Sequence, residues 1–293
     1  MKAISNEKSE TTLTAKDSVL QEWRDSAEYW EKHAKTIRTM FAPVTKALIE
    51  EADIVEGDKV LDVAGGPGEP SLTIAEVVGP TGSVTSTDAV AEMVQAAERE
   101  ARRRGITNIS FRQCSADSLP FEDNSFDVVV SRLGVMFFPD PVAGLREMLR
   151  VIKHDGAISL AVWARSDLNP FSYAVTNVVS RYIESPPGDP NAPGAFRFAE
   201  PGSLSQVLKE AGARSVKELL LRFHIEAAIT PREFWEMRSQ TSGTLREKLE
   251  KLPVEVATRI AEEVENALLE FFPNNQMKFP AQMLVVTGIK WVI

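Results

Sequence analysis

The stretch that most constrains this chain is Val-Leu-Asp-Val-Ala-Gly-Gly-Pro-Gly at residues 60–68. Val60, Leu61 and Val63 form an apolar run typical of a buried parallel strand. The glycines that follow let the backbone turn tightly and leave no side chain between the main chain and a ligand. Because residues 71–78 are apolar at helical spacing, the loop opens a helix. Strand, glycine loop and helix together predict an α/β site for a nucleotide-like ligand.

The residues around this loop distinguish it from two common phosphate-binding loops. Glu69-Pro70 stands where a P-loop needs Lys followed by Ser or Thr, and the loop lacks the G-x-G-x-x-G spacing of a dinucleotide site. The negative Asp62 and Glu69 would also repel a pyrophosphate. They suit a ligand that has an amino group and hydroxyls but no phosphate. S-adenosylmethionine, an amino-acid sulfonium joined to adenosine, fits this description.

A second predicted strand, residues 83–88, ends in the carboxylate of Asp88, 20 residues after Gly68. A carboxylate at this place can accept hydrogen bonds from both hydroxyls of a ribose, because its two oxygens match the spacing of a vicinal diol. The structural alternative is that Asp88 is the N-cap of a helix over residues 91–104. Both roles can hold at once.

Two further predicted strands, residues 109–114 and 126–131, end at the same edge of the sheet. Asp117 follows the first of them and could accept a hydrogen bond from an adenine amino group. It could equally be a turn residue together with Ser118. The second strand brings Ser131 and Arg132 to this edge.

In this order and spacing, the motifs resemble the class I S-adenosylmethionine-dependent methyltransferases, in the small-molecule branch that contains the ubiquinone/menaquinone biosynthesis-type enzymes. The resemblance covers residues 58–164, and it is carried by VLDVAGGPG (60–68), VTSTD (84–88), CSADSLPF (114–121), FDVVVSRLGVMFFPDP (126–141) and LREMLRVIKHDGAISLAVW (145–163). Residues 132–136 depart from the quinone-methylase signature, so the resemblance does not extend to a quinone substrate.

The resemblance implies a set of cofactor-binding residues. The methionine end of the cofactor is assigned to Asp62, Ala64, Gly65, Gly66, Pro67 and Gly68. The ribose is assigned to Asp88, and the adenine to Ala89, Met93, Ala116, Asp117 and Ser118. Ser131 and Arg132 are expected beside the sulfonium. Ala64 stands where the family has its first glycine, and its methyl group is tolerated there if φ is negative.

Composition narrows the function classes. The net charge of −9 argues against a nucleic-acid substrate, which needs a basic surface. No apolar run approaches the roughly 18 residues of a membrane span, and the first residues contain no apolar secretion signal. We therefore expect a cytoplasmic enzyme. The single cysteine, Cys114, is expected to pack as a small hydrophobe.

The N-terminal region is predicted to form a helical cap over residues 18–56, after a flexible segment at residues 1–17. Tyr29, Trp30 and His33 fall on neighbouring positions of one helix face. In related enzymes such a helix covers the cofactor, but these aromatic residues could simply attach the helix to the sheet. His33 is the candidate general base.

The predicted fold is α/β: a Rossmann-like, seven-stranded, mostly parallel sheet with its last strand antiparallel, helices on both faces, and helical N-terminal and lid insertions. The cofactor core is residues 57–164, followed by a substrate or lid insertion at 165–214. Residues 215–293 complete the sheet, with predicted strands at 215–224 and 283–291. They contain a helical insertion at 230–275, whose first helix is predicted to open with Thr230 as its N-cap. Residues expected at the substrate or lid are Tyr29, Trp30, Met136 and Phe171.

These features predict transfer of a methyl group from S-adenosylmethionine to a small-molecule acceptor by in-line displacement, without a metal. The acceptor atom (O, N or C), the acceptor and the oligomeric state stay open. The alternative is a protein that binds S-adenosylmethionine or S-adenosylhomocysteine in a structural or regulatory role. A nicotinamide dehydrogenase is disfavoured because the glycine spacing and a Tyr-x-x-x-Lys motif are both missing.

Overall fold

The computed structural model describes residues 15–184, 189 and 191–291 of the 293-residue chain. The described strands are Lys59–Val63 (β1), Ser83–Asp88 (β2), Ile109–Gln113 (β3), Phe126–Arg132 (β4), Ile152–Trp163 (β5), Arg214–Ala227 (β6) and Met277–Ile289 (β7). The helices are Ala15–Lys32 (α1), Ala34–Glu51 (α2), Ser71–Val78 (α3), Ala91–Arg104 (α4), Pro141–Val151 (α5), Pro170–Val179 (α6), Ser203–Ala211 (α7), Pro231–Thr241 (α8), Gly243–Glu250 (α9) and Val254–Leu268 (α10).

All of these strands belong to one sheet with the order β3-β2-β1-β4-β5-β7-β6. β7 runs antiparallel to both of its neighbours, and the other paired strands are parallel. The predicted Rossmann-like sheet with an antiparallel last strand is therefore confirmed. In such a sheet, ligands bind beyond the carboxyl ends of the parallel strands.

Alternate residues of the central strands supply two separate hydrophobic cores, as the period of a strand requires. Val60 and Val128 pack with Ile74 and Val78 of α3. Leu61 and Val129, their chain neighbours, belong to the other core, which contains Leu145 and Met148 of α5. Helices therefore cover both faces of the sheet, and β1 and β4 are buried in its middle.

Two elements differ from the sequence prediction at the N-terminus. The predicted flexible segment, residues 1–17, lies outside the described residues except for its last three positions, which open α1. The cap consists of two helices because the chain leaves helical geometry at His33, with φ −98° and ψ 5°. The residues of the predicted lid loop at 185–188 and 190 also lie outside the described part of the chain.

β7 begins at Met277, six residues before the predicted start at Met283, although it contains Pro280. β5 pairs with β7 only from Met283 onward, whereas β6 pairs along the whole of β7. Pro280 therefore lies where β7 has a single neighbour, and its missing N–H removes no bond on the open side. The helix α9 was not predicted. Thr230 is the N-cap of α8, as predicted, and it also forms a capping box with Glu233.

Candidate functional site

The carboxyl ends of β1, β2, β3 and β4 meet at one cavity. It encloses about 1330 Å³, including its open mouth. Predicted cofactor residues that line it are Ala64, Gly65, Gly66, Pro67, Asp88, Ala89, Met93, Ala116, Asp117 and Arg132. The order of the strands thus brings together residues that are up to 68 positions apart in the sequence, as the motif analysis required.

The glycine loop has two glycines with different structural roles. A Cβ on Gly65 would lie 2.7 Å from Ser86 Oγ and 2.8 Å from Asp62 Oδ2, so the loop can pack against β1 and β2 only without a side chain. Gly66 has φ +55° and no atom within 4 Å of where its Cβ would be. Its backbone therefore borders open space in the cavity, where a ligand can approach it closely.

The expectation of a negative φ at Ala64 is wrong. Ala64 has φ +61°, and Leu133, across the loop from it, has φ +63°. Both are cavity residues in the left-handed region, which is unfavourable for residues with a Cβ. Gly134 faces Ala64, and a Cβ on Gly134 would lie 2.6 Å from that of Ala64. The loop thus keeps strained backbone beside the cavity.

Ala64→Gly is expected to increase the free energy of unfolding by about 1 kcal/mol, because glycine adopts positive φ without the steric cost. Urea denaturation of the unliganded protein measures this. Ala89→Gly is the matched control, since Ala89 lies in the same cavity without a positive φ. The control is expected to lose stability. A loss of stability in both variants would contradict the assignment of strain to Ala64.

Asp62 lies behind the loop, fully buried. Its Oδ2 accepts a short hydrogen bond from Ser71, while Oδ1 is buried without a partner. Burial raises the pKa of Asp62 to about 7, partly offset by the Ser71 hydrogen bond and by Arg132. Ser131 Oγ, at the end of β4, is likewise buried without a partner. Asp62 and Ser131 do not line the open cavity, but they provide two unsatisfied oxygens next to the loop.

Asp88 faces the cavity and holds the loop in place. Its Oδ2 accepts from the Gly66 N–H at 3.0 Å, and its Oδ1 accepts from the Val90 N–H at 2.9 Å. The predicted N-cap role is wrong in detail, because the N-cap of α4 is Val90. Burial raises the pKa of Asp88 to about 6, opposed by these backbone hydrogen bonds. The carboxylate still has acceptor capacity for a ligand hydroxyl.

Arg132 is the one positively charged side chain among the described residues that line the cavity. Its Nη1 donates to Thr45 Oγ1 at 2.9 Å and its Nη2 to the Glu69 carbonyl at 3.1 Å. Its guanidinium lies 5.9 Å from the centre of the Phe41 ring. Burial lowers the pKa of Arg132, and the nearby Glu69 and Asp62 oppose this shift. A cation thus stands beside the loop, close to the carboxyl group of Asp62.

Glu69 is not available for a ligand amino group, contrary to the sequence argument. Arg104 Nη1 donates to Glu69 Oε1 at 2.7 Å, and Thr73 Oγ1 donates to Glu69 Oε2 at 2.6 Å. Both oxygens are therefore engaged inside the protein. Of the two acidic residues named in the sequence argument, only Asp62 therefore keeps a free carboxylate oxygen.

The loop after β3 forms another edge of the cavity through Ala116 and Asp117, whereas Ser118 is not part of the wall. Arg150 anchors this loop by donating to the carbonyls of Leu119 and Phe121, each at 2.8 Å. Cys114 is half-buried and lines the cavity, so its packing is not purely internal, and burial raises the pKa of its thiol.

The N-terminal helices close the cavity with a mainly apolar wall. The wall residues from these helices are Val19, Leu20, Trp23, Trp30, Ala34, Ile37 and Phe41. Of these, only Trp30 was predicted from the sequence to belong to the site. The Trp23 ring lies 5.0 Å from that of Phe137, edge to face. Trp30 Nε1 donates to the Thr241 carbonyl at 3.1 Å, which joins α1 to α8. The amphipathic pattern indicated a buried face but not what that face would cover.

Several predicted residues lie away from the cavity wall. Met136 and Phe171 are buried in the core, and Arg246 lies over the Tyr29 ring at 5.0 Å. His33 Nε2 forms a hydrogen bond of 2.8 Å with Gln240 Oε1 and is not in the cavity wall. Gly68 is also outside the wall, with its Cα against Leu72. The geometry gives His33 a structural partner and no access to the cavity.

The raised pKa values of Asp62 and Asp88 predict a pH-dependent affinity for a ligand with an ammonium group and hydroxyls. Such a ligand binds best to the ionised carboxylates, so binding below about pH 6–7 must release protons. We expect the affinity for S-adenosylhomocysteine to fall roughly tenfold per pH unit between about pH 7 and pH 6, and more steeply below about pH 6, where both carboxyl groups are protonated. Calorimetry from about pH 5.5 to pH 8 measures this.

The folding stability of the unliganded protein should change with pH in the opposite direction to the ligand affinity. A raised carboxyl pKa contributes stability that is fully present below the unfolded pKa near 3.9 and is lost as pH rises through the folded values of about 6 and 7. Asp62→Asn should therefore remove the pH dependence near pH 7 from both the ligand affinity and the folding stability. An affinity that is constant across this range would contradict the prediction.

The fold and the cavity together define a Rossmann-like α/β protein with a ligand-sized cavity at the carboxyl ends of its parallel strands. Residues 54–182 match a sequence family described as a methyltransferase domain. A ubiquinone/menaquinone biosynthesis C-methyltransferase of Bdellovibrio bacteriovorus is 32% identical over 185 residues, which cover 60% of this chain and 77% of that protein. The chain belongs to the class I S-adenosylmethionine-dependent methyltransferases and resembles the ubiquinone/menaquinone type.

Other similarities are less complete. An uncharacterised protein of Mycobacterium tuberculosis is 38% identical over 131 residues, 45% of this chain and 46% of that protein. The chain thus spans about half the length of several curated relatives that it matches. The crystal structure of YcgJ from Bacillus subtilis has 21% sequence identity and a TM-score of 0.55, covering 85% of this chain and 98% of that one. At this identity the likeness shows the fold alone.

None of the helices between Ala15 and Leu268 in the described part of the chain combines the length and the apolar character that crossing a membrane requires.

Proposed function

We propose that this protein transfers the methyl group of S-adenosylmethionine to a small-molecule acceptor by in-line displacement. The observation that carries the proposal is the convergence of the glycine loop, Asp88 and Arg132 on one cavity of about 1330 Å³.

The residues present fit the cofactor. The unpartnered Oδ1 of Asp62 and Oγ of Ser131 suit its amino group, and Arg132 suits its carboxylate. The Asp88 carboxylate suits the ribose hydroxyls, and the open backbone at Gly66 leaves room for the chain between them. Ala89, Met93 and Ala116 in the cavity wall suit the faces of the adenine base, and Asp117 lies at the same edge of the cavity.

S-adenosylmethionine, when bound, supplies a methyl group made electrophilic by a positively charged sulfur. The protein's task is then to place the acceptor atom about 3–3.5 Å from that methyl group, in line with the breaking bond, and to exclude water. Trp23, Trp30 and Phe137 provide the water-excluding wall.

The described residues of the wall include no histidine or lysine, so the groups there that could accept a proton are carboxylates, among them Asp117 and Asp140, and the Cys114 thiol. We assign no base to His33, whose imidazole is bound to Gln240.

Turnover is tested by incubating the protein with methyl-labelled S-adenosylmethionine and a panel of phenols, amines and acidic carbon compounds. Labelled product together with S-adenosylhomocysteine is expected for at least one acceptor class. Binding of the cofactor with no labelled product from any class would favour the non-catalytic alternative.

A further inference from the structure

The strand β6 forms one edge of the sheet, and its outer side is open. Among the described strands, only β7 pairs with it. β6 is 14 residues long and contains neither proline nor glycine. In the part of the chain that the structure describes, no backbone group outside β7 bonds to residues 218–226. Proteins usually shorten, kink or cover such an edge, because its unpaired N–H and C=O groups can pair with another strand.

The unpaired backbone groups of this edge belong to the even-numbered residues of β6. The Gln282 carbonyl of β7 accepts from the N–H of Ala164, which follows β5, so the even-numbered residues of β7 face β5. The odd-numbered residues of β7 therefore face β6, where Met283 pairs with Leu221. The N–H and C=O groups of residues 218, 220, 222, 224 and 226 must then point out of the sheet.

The centre of this edge, Glu218-Leu219-Leu220-Leu221-Arg222, is complementary to a second copy of itself. When two such strands run antiparallel with Leu220 opposite Leu220, Glu218 of each copy lies opposite Arg222 of the other, and Leu219 lies opposite Leu221. The even-numbered residues then form the hydrogen-bonded pairs, as their outward backbone groups require. Moving the centre of the pairing to Arg222 would place like charges opposite each other, which is unfavourable.

The side chains of this segment are available for such a contact. The three leucines are each only partly buried. Arg222 is exposed, and no described residue holds it in an ion pair. The Glu218 carboxylate is fixed at the start of α7, where it accepts from the Gly202 N–H at 2.9 Å and from Ser205 Oγ at 2.7 Å. Because this carboxylate is already ordered, it loses little side-chain entropy when an arginine binds it.

We propose that this protein forms a twofold symmetric dimer in which the β6 strands of two copies pair antiparallel, centred on Leu220, to make one continuous sheet. A second copy is favoured over another extended chain because residues 218–222 match their own reverse in both charge and apolar character. Twofold symmetry repeats each contact, so the Glu218–Arg222 ion pair forms twice. β5 and β7 separate β6 from β4, and the dimer therefore does not depend on a ligand in the cavity.

Sedimentation velocity of the unmodified chain at rising concentration tests for this dimer. We expect a species with twice the mass of one chain to dominate by about 0.1 mM. Arg222→Glu should raise the dissociation constant at least about tenfold, because it places carboxylate opposite carboxylate in the pairing. Arg112→Glu is the matched control, since Arg112 is also exposed and lies on β3, at the other edge of the sheet. The control should leave the dissociation constant unchanged.

Leu220→Pro tests the backbone pairing itself. Proline at this position removes an outward N–H but no bond to β7, so the chain should fold while the dimer is lost. Circular dichroism checks the fold of each variant, and Arg222→Glu, at an exposed position, decides if the proline variant does not fold.

Unmodified protein that sediments as a single chain up to about 0.1 mM overturns the proposal. A dimer that persists in folded Leu220→Pro or Arg222→Glu protein also overturns it, because another surface would then join the copies. The same holds if Arg112→Glu weakens the dimer as much as Arg222→Glu, since net charge rather than the β6 pairing would explain the loss.

Discussion

Replacing Asp88 by alanine is expected to weaken binding of S-adenosylhomocysteine by about 100-fold or more near pH 8. The change removes the acceptor for two ribose hydroxyls, and hydrogen bonds to a charged group contribute about 1.5–3 kcal/mol each. It also frees the N–H groups of Gly66 and Val90, which Asp88 now holds. Calorimetric titration measures the loss.

Adenosine provides a second ligand for the same variant, because it contains the ribose but no amino-acid part. Asp88→Ala should lower the affinity for adenosine and for S-adenosylhomocysteine to a similar extent. Asp167→Ala is the control, since Asp167 is exposed and paired with Arg165. Unchanged binding of both ligands by folded Asp88→Ala protein would remove Asp88 from the site.

Arg132→Met is expected to lower the affinity for S-adenosylhomocysteine by about 10–100-fold and to leave the affinity for adenosine unchanged. Arg132 is the cation next to the loop, and we assign to it the carboxylate of the cofactor. Without it, Asp62 would also repel that carboxylate. Comparing the two ligands by calorimetry separates this effect from a general disturbance of the cavity.

Two variants support the interpretation of Arg132. Arg132→Lys keeps the charge and should retain part of the affinity, although it cannot reproduce both hydrogen bonds to Thr45 and Glu69. Arg103→Met is the matched control, since Arg103 is exposed and pairs with Glu100. An equal loss of affinity for adenosine and for S-adenosylhomocysteine in Arg132→Met would contradict the assignment of Arg132 to the cofactor's carboxylate.

The sheet could be predicted because its strands carry strong local signals. β1 and β4 are rich in valine and leucine, and the glycine loop fixes where the helix α3 starts. β7 was only half predicted, since Pro280 suggests a strand boundary unless the end of β5 is known. The short polar helix α9 has little apolar periodicity, so its position depends on contacts with α1 and α8 that a sequence does not show.

Residues of the site could be predicted only where a sequence motif lies at the end of a strand. Asp88 and Arg132 are the last residues of β2 and β4, so the sheet itself brings them to the same edge. By contrast, the apolar wall from α1 and α2 depends on where these helices pack. The same limit applies to Phe171, whose position near Arg238 connects segments that are far apart in the chain. The positive φ of Ala64 could not be predicted either, because the fit of the Ala64 methyl group depends on Gly134, which faces it in the fold.

The central claim is that the cavity at the carboxyl ends of β1, β2 and β4 binds S-adenosylmethionine. Calorimetric titration of the intact protein with S-adenosylmethionine and S-adenosylhomocysteine tests it directly. We predict saturable one-to-one binding of both ligands with micromolar affinity near pH 8. The absence of binding by folded protein would contradict the account and would leave the glycine loop without its proposed ligand.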